Sequence, residues 1–383
     1  MRSSPPHPEF IDDRGAAVVL GRELGRGGEG CVYDLVSNDN AVAKIYHNPL
    51  PPERADKIRA MTRIQNDRLE KLTAWPLKLL LRRSGEPIGL VMPKVLGHKD
   101  IHHLYSPKSR RAEFPAADWR FLVRVATNSS RAFAVIHEAN CVIGDVNHGG
   151  VLVASDARVR LIDCDSFQVS AHGRRFLCEV GVPTFTPPEL QGRAFSGVIR
   201  TPDHDNFGLA VLIFQLLFMG RHPFAGRYSG AGDMPIEKAI EQCRFPYGAR
   251  AASVQMKPPP GVPSLSIVSD AVATLLERAF AHGSITHGRP TAREWIVALE
   301  ALEKALKQCS RVPAHWHHSK LPQCPWCAME ASNGLVLFPV LAANRAGMLF
   351  DLAAFWKEID ALPHPGDAPD FSVSLNARNG EAL

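Results

Sequence analysis

Val142-Ile143-Gly144-Asp145-Val146-Asn147-His148-Gly149-Gly150-Val151-Leu152-Val153, followed eighteen residues after Asp145 by Leu161-Ile162-Asp163-Cys164-Asp165, is the stretch on which the reading of this chain turns. One aspartate stands just after a helical pattern, a β-hairpin's length of chain follows, and a second aspartate closes an apolar run. That layout suits a phosphoryl-transfer site. One carboxylate can accept the proton of an attacking hydroxyl while the other holds magnesium on the phosphates.

A phosphate-binding end is expected upstream. Gly25-Arg26-Gly27-Gly28-Glu29-Gly30-Cys31-Val32 matches G-x-G-x-x-G-x-V and lies between strand patterns rather than before a helix, which argues against a dinucleotide-binding turn. Twelve residues after Val32, Ala41-Val42-Ala43-Lys44 places a lysine at the end of an apolar strand. A buried lysine needs an anionic partner, and phosphates would supply one.

Composition sets the frame. The 383 residues are 45% hydrophobic and 22% charged, ordinary for a globular protein and long enough for a domain of about 300 residues plus an appendage. A net charge of +5 without a dense Lys/Arg run argues against nucleic acid as partner. The start, Met1-Arg2-Ser3-Ser4-Pro5-Pro6, leads into no apolar segment of secretory type, and the longest apolar run, Phe207–Met219, is too short to span a bilayer. The expectation is a cytoplasmic protein without membrane attachment, and the eight cysteines, three of them gathered near the C-terminus, point to metal rather than disulfides.

Strand patterns over 17–45, a helix introduced by Pro49-Leu50-Pro51-Pro52, and a hairpin of 77–81 with 89–92 make up the first part. After Pro93 helices dominate: 119–140, the buried 207–219, 266–282 and 291–308, with a Pro/Gly-rich loop at 257–263. Strands first and helices after describe a two-lobed α+β protein with a cleft between the lobes.

With these motifs in place the chain resembles the protein-kinase superfamily, from about Arg14 to Lys307. The resemblance implies that Gly25, Gly27, Gly30, Val32 and Lys44 hold ATP, that Met92 borders the adenine at an inter-lobe hinge, that Asp163 binds magnesium and that Asp145 is the catalytic aspartate. It also expects a helix glutamate to pair Lys44. The face of Ile58, Met61, Leu69 and Leu72 centres on Gln65, with Glu70 some 140° around as the charged alternative. The asparagine that would bind a second magnesium falls on Gly150, so Asn147, one turn earlier, and Asp165 are candidates to help. The His-Arg before the catalytic aspartate is replaced by Ile143-Gly144, which removes the clamp for a phosphorylated activation loop, and the platform threonine falls on Val182. Glu189 is expected to pair Arg289, and Asp205 to brace the Asp145 loop; this platform separates protein kinases from small-molecule kinases.

Cys309, then His315-Trp316-His317-His318, then Cys324-Pro325-Trp326-Cys327 reads as a structural zinc site of three cysteines and one histidine, His315 or His318. Apolar, strand-like residues at 333–340 suggest a module docked on the large domain or one for protein contact rather than for nucleic acid. The resulting boundaries are an N-terminal extension 1–14, an N-lobe 15–93, a C-lobe 94–308, a zinc module 309–340 and a C-terminal segment 341–383 with a mobile tail. Asp-Cys-Asp-Ser-Phe-Gln at 163–168 together with Cys-Pro-Trp-Cys resembles a bacterial kinase-like group associated with von Willebrand A-domain proteins and PP2C-type phosphatases in tellurite-resistance-linked systems. That resemblance implies a Ser/Thr-type protein kinase using ATP, Mg²⁺ and structural Zn²⁺ on a protein substrate. Gln65, Gly150 and Val182 keep a pseudokinase scaffold as the rival.

Overall fold

Along strand β5 (Asn38–Tyr46) the side chains alternate between two environments. Ala41, Ala43 and Ile45 pack into one cluster with Val18, Leu35, Leu80, Ile88 and Val91. Tyr46, two residues from Lys44 and so on the same face, packs into the other with Ile58, Leu79 and Leu90. In the computed structural model, which describes residues 9–340, β5 lies within a seven-stranded sheet of order β2-β1-β6-β7-β5-β4-β3. Its other strands are β1 (Phe10–Asp12), β2 (Ala17–Val18), β3 (Leu20–Arg26), β4 (Gly30–Leu35), β6 (Lys78–Arg82) and β7 (Pro87–Pro93), and every pairing is antiparallel. A Cβ on Gly30 would lie 2.2 Å from the Ile45 carbonyl oxygen and one on Gly89 2.2 Å from that of Lys44. Both glycines flanking β5 are therefore fixed by close strand approach.

Two sequence expectations need correction here. Residues 10–12 belong to the sheet as β1, paired with both β2 and β6, so the extension assigned to 1–14 does not hold for them. The helix centred on Gln65 is two helices, α1 (Pro52–Ile64) and α2 (Asp67–Leu72). The break comes from Asn66, whose Oδ1 accepts the Arg68 and Leu69 amides and starts a new helix.

Beyond the sheet, β8 (His98–Asp100), α3 (Ile101–Tyr105) and α4 (Pro107–Glu113) lead into the long α5 (Trp119–Glu138). Two small sheets follow. β11 (Val159–Leu161), β10 (Val151–Ala154) and β8 form one, and β13 (Arg174–Phe176), β12 (Gln168–Ala171) and β9 (Cys141–Val142) the other. The Asp145 loop joins β9 to β10 and Asp163 lies between β11 and β12, so the pairings β10–β11 and β9–β12 bring the two aspartates together.

Helix α6 (Pro202–Leu217) runs through the core with Phe207, Leu209, Val211, Leu212, Phe214 and Leu216 all fully buried. It packs on α5 and on α8 (Asp270–Phe280). Each such side chain contributes about 1.5–3 kcal/mol of burial. α7 (Ile236–Glu241) precedes α8 in sequence and the short α9 (Ser284–His287) follows it, and α10 (Ala292–Lys304) packs along α5. The expected helix 291–308 stops at Lys304, and residues 306–308 turn into a strand that pairs antiparallel with Trp316–His318. Residues 333–340, expected as strand-like, instead finish helix α11 (Pro325–Asn333) and continue without regular structure. Trp326 of α11 sits 5.4 Å from Trp119 of α5, ring to ring, which docks this end onto the helical core. Among the described residues no helix is long and apolar enough to cross a membrane. Residues 1–8 and the C-terminal segment 341–383 lie outside the described residues.

Candidate active site and metal centre

Gly144 takes φ +74°, and a Cβ there would lie 2.7 Å from Cys178, so only glycine allows the turn that presents Asp145. Asp205, buried at the start of α6, accepts the Ile143 amide at 2.7 Å and the Gly144 amide at 2.8 Å, with His137 at 3.0 Å on the same carboxylate. That is the bracing expected of it; the helix is capped by Thr201 instead. Gly208 matters for the same loop, since a Cβ there would strike Val146 at 2.7 Å. Asp145, Asn147, Gly150 and Asp163 line a single cavity. Among the described residues nothing donates a hydrogen bond to the buried Asp145 Oδ1. Burial lifts the Asp145 carboxyl above its ordinary range, opposed by Asn147, Arg200 and the Val182 amide.

The structure alters three assignments. Asn147 lines the cavity, but its side chain is engaged within its own loop: its Oδ1 accepts the Gly149 amide at 2.8 Å and the Gly150 amide at 3.1 Å, and its Nδ2 donates to the Asp145 carbonyl. Asp165 is equally unavailable to metal. It is 3% exposed in its side chain and accepts from Lys44 Nζ at 3.0 and 3.2 Å, from Tyr46 Oη at 2.6 Å and from Arg54 Nη2 at 3.2 Å. Lys44 is thus paired neither by Gln65 nor by Glu70. Gln65 sits at the end of α1 with Oε1 buried and, among the described residues, unpartnered, while the Glu70 carbonyl accepts from Arg160. Lys44 also has Glu29 at 3.6 Å and Asp163 at 3.8 Å.

Charge is therefore redistributed around the lysine. Helix α1, expected to bring an acid, brings Arg54, and Asp165 from the opposite lobe supplies the carboxylate. Burial raises the Asp165 carboxyl, but Lys44, Tyr46 and Arg54 outweigh it and hold it below the ordinary range. Burial likewise acts to lower Lys44, and the charge of Asp165 reverses this and raises it. Asp163, in the left-handed region at φ 55°, keeps its carboxylate open, with 66% of the side chain exposed.

Val32 lies directly across from Lys44 and Met92 across from Val42, so all four share one sheet face. Among the described residues, Gly25 and Gly28 have nothing within 4 Å of an added Cβ, and Gly27 only the Gly30 oxygen at 3.9 Å. Neither positive φ nor packing requires glycine at these three positions, which leaves open space over the lysine strand. Glu29, at the tip of the turn, is tied to Arg54 at 2.6 Å.

Glu189 and Arg289 form the expected pair through two parallel bonds of 2.8 Å, and Asp203 joins at 2.6 Å. Arg200 was not foreseen. Its guanidinium donates to the Gly144 carbonyl at 3.1 Å and the Val180 carbonyl at 3.2 Å, and it lies 3.9 Å over the Phe195 ring. An arginine from the far side of the segment thus ties the Gly144 turn to the chain at Val180.

The cysteine cluster assembles with His315: Cys309, Cys324 and Cys327 each put Sγ within 4.8 Å of a His315 nitrogen and of one another. The Cys309–Cys327 sulfurs are 3.7 Å apart, and His315 Nδ1 is 3.6 and 3.4 Å from Cys324 and Cys327. Metal–sulfur bonds of about 2.3 Å in a tetrahedron place sulfurs about 3.8 Å apart, so the donor set fits a closed four-ligand site and not a disulfide. His315 Nδ1 is thus the inward nitrogen, and Glu330 lies 3.2 Å from Nε2 on the other side of the ring. His318, the alternative, pairs with Leu306 in the strand ladder and stands outside the cluster.

No family model matches the chain. It is 43% identical over 357 residues to protein kinase YegI of Escherichia coli strain K12, covering 92% of this chain and 55% of that protein. To the O157:H7 protein of the same name it is 43% identical over 364 residues, covering 94% of this chain and 56% of that protein. The chain thus spans about half the length of the curated relatives it matches. Among solved structures, the ROP18 kinase domain in complex with AMP-PNP and sucrose superposes with a TM-score of 0.50 at 15% identity, covering 78% of this chain and 84% of that one. The fold is the bilobal one of protein kinases, with a Cys/His cluster near its C-terminal end.

Proposed function

From this kinase-like fold and the likeness to a bacterial protein kinase, we propose that the chain transfers the γ-phosphate of ATP to a serine or threonine hydroxyl of a protein. The observation that carries the reading is the convergence of Asp145 and Asp163 on one cavity, with Lys44 3.8 Å from Asp163. The unpartnered Asp145 Oδ1 is the acceptor for the substrate hydroxyl proton, and its raised carboxyl suits a group that takes up a proton. Lys44, fixed by Asp165, faces the phosphates beneath the glycine-rich turn of Gly25, Gly27 and Gly30, and Met92 borders the base. Asp163 holds the magnesium, which when bound neutralises charge developing on the phosphates. The Glu189–Arg289 pair supports a protein rather than a small molecule as acceptor.

Zn²⁺ on Cys309, His315, Cys324 and Cys327 serves folding, since four protein ligands leave no open position. A von Willebrand A-domain protein and a PP2C-type phosphatase as partners rest on the resemblance of 163–168 and 324–327 alone. A second reading, a nucleotide-binding scaffold, is favoured by Gly150, which offers no ligand, and by Asn147, whose side chain is committed within its loop. The deciding test is transfer from γ-labelled Mg·ATP to the chain itself or to a generic acceptor protein, beside Lys44→Ala and Asp163→Asn. Transfer that is lost in both variants supports the kinase; stabilisation by ATP without transfer supports the scaffold.

A further inference from the structure

Outside the nucleotide cleft, the junction of β8 and α3 gathers Asp100, His102 and His103. One donor atom from each lies within 4.8 Å of the other two. The imidazoles lie side by side, 3.9 Å between ring centres, and the Nδ1 atoms of both are buried, without a hydrogen-bond partner among the described residues. Asp100 stands at the N-cap position of α3, where an aspartate ordinarily accepts an amide of the first turn. It makes no such bond, and its Oδ2 lies 3.7 Å from His102 Nδ1. A carboxylate that forgoes its cap therefore stands beside two imidazole nitrogens left, among the described residues, without a hydrogen-bond partner.

We propose that Asp100, His102 and His103 form a second metal site, for a first-row divalent cation that prefers imidazole, such as Zn²⁺. Two imidazoles and one carboxylate suit this class, whereas Mg²⁺ and Ca²⁺ favour all-oxygen sets. Bonds of about 2.0–2.1 Å require donors about 3.3 Å apart, which side-chain rotation of a third- to half-exposed aspartate and histidine can reach. Three protein ligands leave coordination positions open, unlike the cysteine site. His148 lies edge-on to His102 at 5.5 Å, three residues after Asp145, so the bound ion lies beside the loop that carries that aspartate.

The test is titration of the metal-stripped full chain with Co²⁺, followed by optical absorption and calorimetry. The cysteine site reports through a thiolate charge-transfer band, and the site proposed here binds without one. Wild type is expected to take one equivalent beyond the thiolate-linked one, and His102→Gln/His103→Gln to lose that extra equivalent while keeping the thiolate band. Asp100→Asn, which leaves both imidazoles in place, is expected to weaken the extra equivalent at least tenfold. Retention of the thiolate band in these variants shows that they fold. No equivalent beyond the thiolate-linked one in wild type, or an undiminished one in the double variant, overturns the site.

Discussion

Lys44 Nζ lies 3.0 Å from Asp165 Oδ2, a contact between residues 121 apart in sequence that joins the sheet to the segment following Asp163. Removing one partner of a buried ion pair leaves the other charge uncompensated, at a cost of about 3–5 kcal/mol. Asp165→Asn should therefore lower stability by about 3 kcal/mol, near the lower bound because Arg54 and Lys44 keep some solvent contact, and should weaken ATP binding by misplacing Lys44. Denaturant unfolding and nucleotide titration read the two effects. Because the folded Asp165 carboxyl is held below its unfolded value, its contribution is full above about pH 4 and is lost as pH falls through the folded value. The variant should accordingly show a flatter loss of stability on acidification.

Asp145 carries the opposite sign. Burial raises its carboxyl, so the ionised form at neutral pH destabilises the fold. Asp145→Asn should keep or raise the melting temperature at pH 7 while reducing transfer about 10²–10⁴-fold. A melting temperature clearly below wild type would contradict this account of the loop.

Arg200 should hold the Asp145 loop to the segment at Val180 without any phosphate. Arg200→Lys loses the fork that reaches both carbonyls, and should cost about 2 kcal/mol of stability and lower transfer. Phosphatase treatment of wild type should leave transfer unchanged; a phosphatase-sensitive activity would show that the arginine does not act alone.

The Cys/His cluster should hold one tightly bound Zn²⁺ per chain. Because Trp326 beside Cys327 packs on Trp119, metal removal or Cys324→Ser should shift tryptophan emission and lower the melting temperature of the helical part. Elemental analysis and fluorescence check both.

Much of this was legible because it rests on local rules. The glycine-rich turn between strands, the apolar strand that carries Lys44 and the buried 207–219 run each declare themselves through spacing alone. The Lys44 partner was not legible, since it depends on which lobe supplies a carboxylate across the cleft. A signal existed nonetheless: Arg54 and Lys57, three apart on α1, put cations on the helix expected to carry an acid. Asp165, two residues beyond Asp163, is the acid that meets Lys44 instead. The α1–α2 break was hidden by a helical hydrophobic period that continues across Asn66, so only the cap reveals it. Arg200 reaches Gly144 over 56 residues of chain, and no local pattern announces it.

The central claim, that Asp145 and Asp163 form a working phosphoryl-transfer pair, is tested most directly by a single-turnover measurement. Excess protein is mixed with γ-labelled Mg·ATP and an acceptor protein, and wild type is compared with Asp145→Asn at matched nucleotide occupancy. Labelled phosphoprotein should accumulate in wild type and fall about 10²–10⁴-fold in the variant, with ATP affinity nearly unchanged. Equal transfer by both proteins at full occupancy would contradict the claim.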